Sequence, residues 1–218
     1  SSGGKMEKYC EENNIDFRKI TKNHSPRASF SGFLYSLIKI LSSLIDITDN
    51  DVYQSINELK KTRELISTTN LTLSNPALQL ANWITGIPLI YYPAGLNAVA
   101  IRFKNSLQEN SKLHVMIEDV IEACHNQIVS WEKKSIVQPI LLQGTDDYVK
   151  TKDRWNIIQE YLEVNNIDYK NILSIEGNIL SKVMNLIYFL DYTSIYHAVL
   201  NEKDPSPVDS INFVKKRL

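Results

Sequence analysis

From residue 86 onward, apolar runs of strand length alternate with stretches of helical spacing, and this alternation limits the possible fold more than any other feature. The apolar runs cover residues 87–92, 114–120, 137–143 and 172–176. The helical stretches cover residues 97–108, 125–132, 147–163, 179–200 and 207–218. Continuous apolar strands that alternate with amphipathic helices predict a parallel sheet flanked by helices, an α/β fold. In such sheets, ligands bind beyond the carboxyl ends of the strands.

The region before residue 86 is predicted to be mainly helical. Helical spacing or helix-start signals predict helices over residues 4–13, 30–44, 48–65 and 75–85. Thr48 and Asp51 are candidate caps, and Asn75 precedes a proline in a helical first turn. A short strand is expected at residues 15–21 and a loop at 22–29.

Bulk properties exclude several classes of function. The chain has 218 residues, with 43% hydrophobic residues, 22% charged residues and a net charge of −1, so general nucleic-acid binding is not expected. No apolar run reaches the roughly 18 to 20 residues of a membrane span, and the opening residues "SSGGKMEKY" have no apolar segment of a secretory signal, so neither is expected. Two distant cysteines, Cys10 and Cys124, indicate reduced thiols in a cytoplasmic protein and do not suggest a zinc site.

The opening residues "SSGGK" resemble the turn that follows a strand and opens a helix, yet no strand precedes them. Two interpretations remain open at this point. The chain is a fragment whose first portion is missing, or its first few residues derive from an expression tag.

Glu109 and His125 are the first candidates for proton transfer. Glu109 ends a predicted helix and is expected close to the strand end at residues 91–95, while His125 begins a predicted helix. A carboxylate can take a proton from carbon once it is partly desolvated, and imidazole exchanges protons near pH 7. Both positions are equally typical of residues without catalytic function. His114, in a predicted strand, and His197, late in a long helix, are expected to be structural, and His24 has no comparable neighbourhood.

Other candidates come from the two ends of the chain. Lys215, near the C-terminus, and Arg27, in a loop, suit an anionic substrate, but each is also typical of a surface cation. Ser1 and Ser2 could offer hydroxyl groups to a phosphate at a helix start. Ser206 is a candidate substrate contact and N-cap of the last helix.

Taken together, these segments resemble the bifunctional phosphoglucose/phosphomannose isomerases, whose chains contain two sugar-isomerase (SIS) domains. The likeness is carried by "SSGGKMEKYCEEN", "SPRA", "NPALQLA", "YYPAGLNAVAIRFKNSLQENSK", "CHNQIVSWE" and "FLDYTSIYHAVLNEKDPSPVDSINFVKKRL". The resemblance implies a flavodoxin-like parallel sheet in residues 74–218, the second SIS domain. It implies that residues 1–73 are the C-terminal tail of a first SIS domain plus a helical connector.

The resemblance also implies a role for each candidate. Glu109 would move a proton between C1 and C2 of the sugar, and Arg27 would stabilise the enediolate that forms. His125, supplied across the interface of a homodimer, would assist ring opening. Lys215 would take part in ring opening, with Lys216 as a close second choice.

The implied activity is the interconversion of glucose 6-phosphate, and of mannose 6-phosphate, with fructose 6-phosphate, in cytoplasmic carbohydrate metabolism (glycolysis and gluconeogenesis). No metal or organic cofactor is expected, and neither nucleic acid nor membrane is an expected partner. In the family, the phosphate is held mainly by serine and threonine loops that lie upstream of "SSGGK", outside this chain. Ser130 stands where relatives often have glycine.

Two other functions remain open. A non-catalytic SIS module could bind a phosphosugar as a regulatory ligand, but such a module needs neither a base nor an acid. An interaction scaffold predicts that Glu109→Gln and His125→Ala leave function unchanged. The sequence does not separate glucose from mannose preference.

Overall fold

The computed structural model describes residues 1–21 and 25–218, and it forms two compact units, Ser1–Tyr53 and Gln54–Leu218. Each unit is described by itself. The boundary predicted between residues 73 and 74 separates the regions that would correspond to two SIS domains. It is not a boundary between compact units, and it stays a prediction.

The first unit is helical, as expected. It contains α1 (Lys5–Glu12), a 3₁₀ turn (Arg27–Ser29), α2 (Phe30–Ile40) and the start of α3 (Asp49–Ile66). Thr48 and Asp51 form a reciprocal cap: the Thr48 hydroxyl donates to the Asp51 carboxylate at 2.6 Å and accepts from the Asp51 N–H at 3.2 Å. The hydrogen bonds that its carboxylate accepts from the Thr48 hydroxyl and from the Thr48 N–H hold the pKa of Asp51 below its ordinary value. The predicted caps are therefore confirmed.

The strand predicted at residues 15–21 is wrong. The segment forms no strand with any described residue, and its backbone contacts at Ser1 are a bond from the Ile20 N–H at 2.9 Å and one to the Arg18 carbonyl at 3.3 Å. A strand needs a continuous ladder of such bonds, which two isolated ones do not provide. The predicted loop 22–29 ends in the 3₁₀ turn, and residues 22–24, including His24, lie outside the described residues.

The second unit contains a four-stranded parallel sheet in the order β2-β1-β3-β4. Its strands are β1 (Ile87–Tyr92), β2 (Met116–Asp119), β3 (Val137–Gln143) and β4 (Lys170–Leu173). Its helices after α3 are α4 (Pro76–Trp83), α5 (Asn97–Ser111), α6 (Val120–Ala123), α7 (Val149–Val164), α8 (Ile179–Leu200) and α9 (Asp209–Lys215), with 3₁₀ turns at Ala94–Leu96 and Gln127–Glu132. The predicted α/β fold is confirmed, with the strand order typical of flavodoxin-like sheets.

Helices cover both faces of this sheet. The crossover from β1 to β2 through α5 and the crossover from β3 to β4 through α7 run in opposite directions, so right-handed connections put α5 and α7 on opposite faces. Leu89 and Tyr91 of β1 belong to the buried cluster that contains Trp155 of α7. On the other side, α8 packs along α5 and α4. Burying each large apolar side chain contributes about 1.5 to 3 kcal/mol, which makes this layered core the main source of stability.

Two local devices fix where α4 and β1 begin. The Asn75 side chain accepts from the N–H groups of Ala77 and Leu78 at 3.0 and 3.1 Å, which confirms the predicted helix start. Gly86 precedes β1 at a point where a Cβ atom would lie 1.9 Å from the Ile136 carbonyl oxygen. Only glycine fits there, because the backbone at Gly86 and the backbone at Ile136 approach too closely for a side chain.

Three other predicted boundaries move. The strand expected at residues 114–120 is shortened because the Asp119 side chain accepts from the Ile121 N–H at 2.8 Å and starts α6 at Val120. The helix expected at 125–132 is a 3₁₀ turn over Gln127–Glu132. The strand expected at 172–176 lies at Lys170–Leu173. Within the described ranges, no helix is both long and apolar enough to cross a membrane.

Candidate functional site

Glu109 lies half-buried in the last turn of α5, beside a cleft of about 630 Å³. We call this the Glu109 cleft; its lining residues are Asn105, Gln108, Glu109, Lys112, Leu113, His114, Pro207, Val208, Asp209, Ser210 and Ile211. Because α5 returns from the carboxyl end of β1, its last turn lies at the amino end of the sheet. Glu109 is therefore about 18 Å of helix away from the strand end at residues 91–95, and the expected proximity is wrong.

Lys112 joins the two walls of this cleft. It caps α5 in the left-handed conformation (φ 57°), and its ammonium group donates to the Glu109 carbonyl at 2.6 Å and to the Pro207 carbonyl at 2.8 Å. A cation is favourable at a helix C-terminus, where unpaired carbonyls concentrate negative charge. The lysine thus fixes the segment before α9 against the end of α5, although the two are 95 residues apart in sequence.

A polar seam behind the cleft holds α5 against α8. Arg102 pairs with Asp191 through two hydrogen bonds of 3.1 and 2.7 Å, and Ser106 donates to the same carboxylate at 2.5 Å. One turn further along, the Asn110 side chain donates to the Ser194 hydroxyl at 2.8 Å. Positions 102, 106 and 110 lie four residues apart, so they share the face of α5 that meets α8.

This seam explains much of the motif around Glu109. Arg102 and Asn110, which belong to the segment "RFKNSLQENSK", bind α8 rather than the cleft, and Ser111 donates to the Ser194 carbonyl at 2.8 Å. Glu109 and Lys112 of the same segment line the cleft instead. The motif thus combines residues that fix the helix with residues that line the cleft.

The terminal segment differs from its prediction. Ser206 is exposed and is not an N-cap, because α9 begins at Asp209 after Val208, which makes no side-chain cap. Instead the Asp204 side chain accepts from the Ser206 N–H at 2.8 Å, in an Asx turn that lets the chain bend before Pro207. This bond, with a smaller contribution from Lys112, holds the pKa of Asp204 below its ordinary value.

Lys215 and Lys216 are exposed, at the end and C-cap of α9, and neither lines the Glu109 cleft. Lys215 is four residues beyond Ile211, the last lining residue, or about 6 Å further along the helix. Its catalytic role stays a prediction.

His125 lies at the opposite end of the sheet. It is exposed in the turn after α6, where its N–H donates to the Glu122 carbonyl at 2.9 Å, and it follows the carboxyl end of β2. Strands of four residues span about 13 Å. The structure therefore separates His125 from Glu109 within one chain by the height of the sheet.

Arg27, Ser1 and Ser2 belong to the first unit. Arg27 is half-buried at the start of its 3₁₀ turn, and both serines are exposed before α1. The Ser1 hydroxyl donates to the Gly3 carbonyl at 3.4 Å. The proposed roles of these three residues stay predictions.

His114 is a cleft residue that the sequence analysis placed wrongly. It lies outside any strand, is exposed and lines the Glu109 cleft. Its position five residues after Glu109, at a helix end, was the available signal. His197 is buried as expected (5% exposed), with Nε2 at 3.2 Å from the Ile84 carbonyl, and burial lowers its pKa.

Among residues 1–21 and 25–218, no three His, Cys, Asp or Glu side chains lie close enough to hold a metal ion together. The ionisable groups that line the Glu109 cleft are the carboxylates of Glu109 and Asp209, the imidazole of His114 and the ammonium group of Lys112. Such groups suit proton transfer on a hydroxylated ligand.

Comparison with known proteins assigns the chain to a family. Residues 73–218 match the model of the bacterial phospho-glucose isomerase C-terminal SIS domain. The chain belongs to this family. The match includes Glu109, His125 and the whole terminal segment.

Relatives match along the entire chain. The chain is 29% identical to a bifunctional phosphoglucose/phosphomannose isomerase of Caldicellulosiruptor bescii and 26% identical to one of Aquifex aeolicus. In both cases all of the chain is covered, against 67% and 66% of the relative, so it spans about two thirds of their length.

A solved structure, a glucose-6-phosphate isomerase like protein from Thermus thermophilus, has a TM-score of 0.66 and 19% identity. The alignment covers 87% of this chain and 62% of that protein. At this identity the likeness supports the SIS fold alone.

Proposed function

We propose that the chain carries the catalytic residues of an aldose–ketose isomerase that interconverts glucose 6-phosphate, and mannose 6-phosphate, with fructose 6-phosphate. The observation that carries the proposal is the half-buried Glu109 beside a cleft of about 630 Å³, in a chain whose family and relatives are isomerases. Ligand pockets of small molecules fall in this range of volume.

In the proposed reaction, the Glu109 carboxylate takes the proton from C2 of the open-chain aldose. The electrons of the C–H bond form a C1=C2 double bond, and O1 becomes the oxyanion of a cis-enediolate. The O2 proton moves to O1, and protonated Glu109 returns its proton to C1 as the C2 carbonyl forms. Arg27 would stabilise the oxyanion, where its charge lowers the energy of the intermediate.

We also propose that His125 acts in the active site of a second copy of the chain. Glu109 and His125 lie at opposite ends of one sheet, so a dimer that brings them together needs one residue from each protomer. His125 would assist ring opening by donating a proton to the ring oxygen, and Lys215 or Lys216 would also take part in ring opening. Ser1, Ser2 and Ser206 remain proposed substrate contacts.

A coupled assay of fructose 6-phosphate formation from glucose 6-phosphate tests the base. Glu109→Gln should lower kcat by about 10²- to 10⁴-fold, the usual contribution of a general base. Glu160→Gln, an exposed glutamate on α7 that does not line the Glu109 cleft, is the control and should retain activity.

If the 218-residue chain is inactive, the same pair of variants is assayed in a protein extended upstream. An active extended protein in which Glu109→Gln retains full activity would refute the assignment of the base. An inactive extended protein that still binds glucose 6-phosphate would favour the regulatory SIS module instead.

Mixing Glu109→Gln and His125→Ala chains tests the second copy. Each variant alone should be inactive, whereas random dimers of the two contain one intact site in half of the molecules. The mixture should therefore recover about a quarter of the unmodified activity. No recovery after dissociation and reassociation, with dimers present, would place both residues in the same protomer's site.

A further inference from the structure

A second cleft, of about 470 Å³, lies beyond the carboxyl end of β4, far from the Glu109 cleft. We call it the α8 cleft. Gln54, Asn57, Lys60 and Lys61 of α3 line one side, and Gly177 and Ser181 at the start of α8 line the other. All of these residues belong to the unit Gln54–Leu218.

In this cleft, Ser181 has a buried hydroxyl group without a hydrogen bond to any described residue. The residue is 2% exposed, and its hydroxyl oxygen has no hydrogen-bond partner among the residues that the structure describes. Buried hydroxyl groups are almost always paired, because an unpaired one loses its hydrogen bonds to water without replacement. The ordinary cap of the helix is complete without it: the Asn178 side chain accepts from the Ser181 N–H at 2.8 Å and donates to Gln54 at 2.8 Å.

The start of α8 has the electrostatics of an anion site. The helix has 22 residues, and the N–H groups of its first turn concentrate positive charge at its N-terminus. Gly177 (φ 122°) makes the turn from β4 into this helix, a backbone conformation that is strained for residues with a side chain. Without a side chain at this position, an anion can approach the backbone closely. Lys60 and Lys61 add two cations on the facing helix.

We propose that the α8 cleft binds a phosphorylated polyhydroxy compound, with its phosphate at the start of α8. The phosphate would accept hydrogen bonds from the Ser181 hydroxyl and the first-turn N–H groups, and Lys60 would neutralise part of its charge. This site is separate from the proposed catalytic site and does not depend on the role of Glu109.

The other groups in the cleft determine the rest of the ligand. Glu58, which pairs with Lys61 at 2.6 Å, and Glu176 also line it, so the two lysines are balanced by two carboxylates. This balance weakens binding of a bare phosphate ion. Carboxylate and amide oxygens accept hydrogen bonds from hydroxyl groups, which favours a sugar or polyol phosphate.

The test is a titration of the ¹⁵N-labelled full chain with glucitol 6-phosphate, which has no carbonyl group and cannot be isomerised. The amide signals of Gly177, Ile179 and Ser181 should shift and saturate. Ser181→Ala and Lys60→Ala should each raise the Kd at these amides about fivefold, the effect of one lost hydrogen bond or weak ion contact. Lys134→Ala, an exposed lysine outside the cleft, should leave it unchanged.

A second titration with inorganic phosphate separates the two parts of the ligand. It should shift the same amides with a Kd about tenfold higher. Equal affinity for both probes would overturn the polyhydroxy part of the proposal. Shifts confined to Glu109-cleft residues, or a folded Ser181→Ala chain with unchanged Kd, would overturn the site itself.

Discussion

The two ends of the sheet in Gln54–Leu218 are built on opposite principles. At the amino end, the C-terminus of α5 presents a carboxylate, Lys112 supplies the compensating cation, and the polar side chains behind the cleft are hydrogen-bonded across the α5–α8 seam. At the carboxyl end, the N-terminus of α8 presents N–H groups, and the Ser181 hydroxyl has no partner among the described residues. The α5–α8 seam at the amino end is satisfied internally, and that end suits proton transfer, whereas the Ser181 hydroxyl at the carboxyl end suits an anion. The comparison teaches that helix direction decides which charge each end can accommodate.

The largest expected effect comes from removing an ion pair of the α5–α8 seam at the amino end. Asp191→Ala removes the partner of Arg102, whose pair is largely shielded from solvent (19% and 25% side-chain exposure), and should lower the free energy of unfolding by about 3 kcal/mol. Urea denaturation measures this change. Asp153→Ala, which removes an exposed pair with Lys150, should change stability by less than about 0.5 kcal/mol. Similar losses for both variants would contradict the structural role of the seam.

The next effect is a pH dependence that arises at the amino end. Burial lowers the pKa of His197 from 6.5, so the unfolded chain binds a proton that the folded chain resists. The free energy of unfolding should therefore be unaffected by this group above pH 6.5. It should decrease as the pH falls from about 6.5 toward 5, by at most about 1.4 kcal/mol per pH unit. Unfolding free energies at several pH values measure the slope. His197→Gln should flatten it, and the exposed His114→Gln should not.

A smaller effect concerns the link between the two walls of the Glu109 cleft. Lys112→Gly removes two hydrogen bonds but relieves a left-handed conformation that costs a lysine about 1 kcal/mol, so global stability should change by less than about 1 kcal/mol. The released terminal segment should show faster amide hydrogen exchange at residues 208–211. Lys203→Ala removes a neighbouring exposed cation and should leave exchange unchanged. Unaltered exchange in Lys112→Gly would mean that the lysine does not hold the segment.

The smallest expected effect concerns the Ser181 hydroxyl group at the carboxyl end. Ser181→Ala deletes a hydroxyl group that has no partner in the described structure, so without ligand it should raise the free energy of unfolding by about 0.5 to 1 kcal/mol. Thermal denaturation measures the shift. Ser194→Ala, whose hydroxyl is bonded to Asn110 and to the Asp191 carbonyl, should destabilise instead. A loss of stability in both variants would show that the two ends are equally satisfied.

Much of the fold was predictable because its signals are local. The predicted bounds 87–92, 137–143 and 179–200 coincide with β1, β3 and α8, whose apolar runs are bounded by turn residues. The strand expected at 15–21 failed because a strand depends on a neighbour that a local pattern does not reveal. The start of α6 at Val120 was missed for a similar reason, since one Asp119 side chain decides it.

The site was only partly predictable. Glu109 and the terminal segment were both singled out, but their meeting depends on the reach of Lys112 to Pro207, which no local pattern encodes. The Ser206 cap failed because Asp204 takes its N–H in a turn. The α8 cleft was not foreseen, since it needs α3 and α8 side by side. The separation of His125 from Glu109 follows from the path of α5, which returns along the sheet, and a spacing of sixteen residues in sequence does not reveal it.

The continuous helix α8 also fixes the rotation of Ser181, in the α8 cleft, relative to Asp191, in the α5–α8 seam. Ser181 and Asp191 lie ten residues apart on one rigid cylinder, and each residue adds about 100° of rotation. Inserting a single residue between them would turn either Ser181 away from the α8 cleft or Asp191 away from Arg102, and about 3.6 residues would be needed to restore alignment. The length of this segment is therefore expected to tolerate substitutions far better than insertions or deletions.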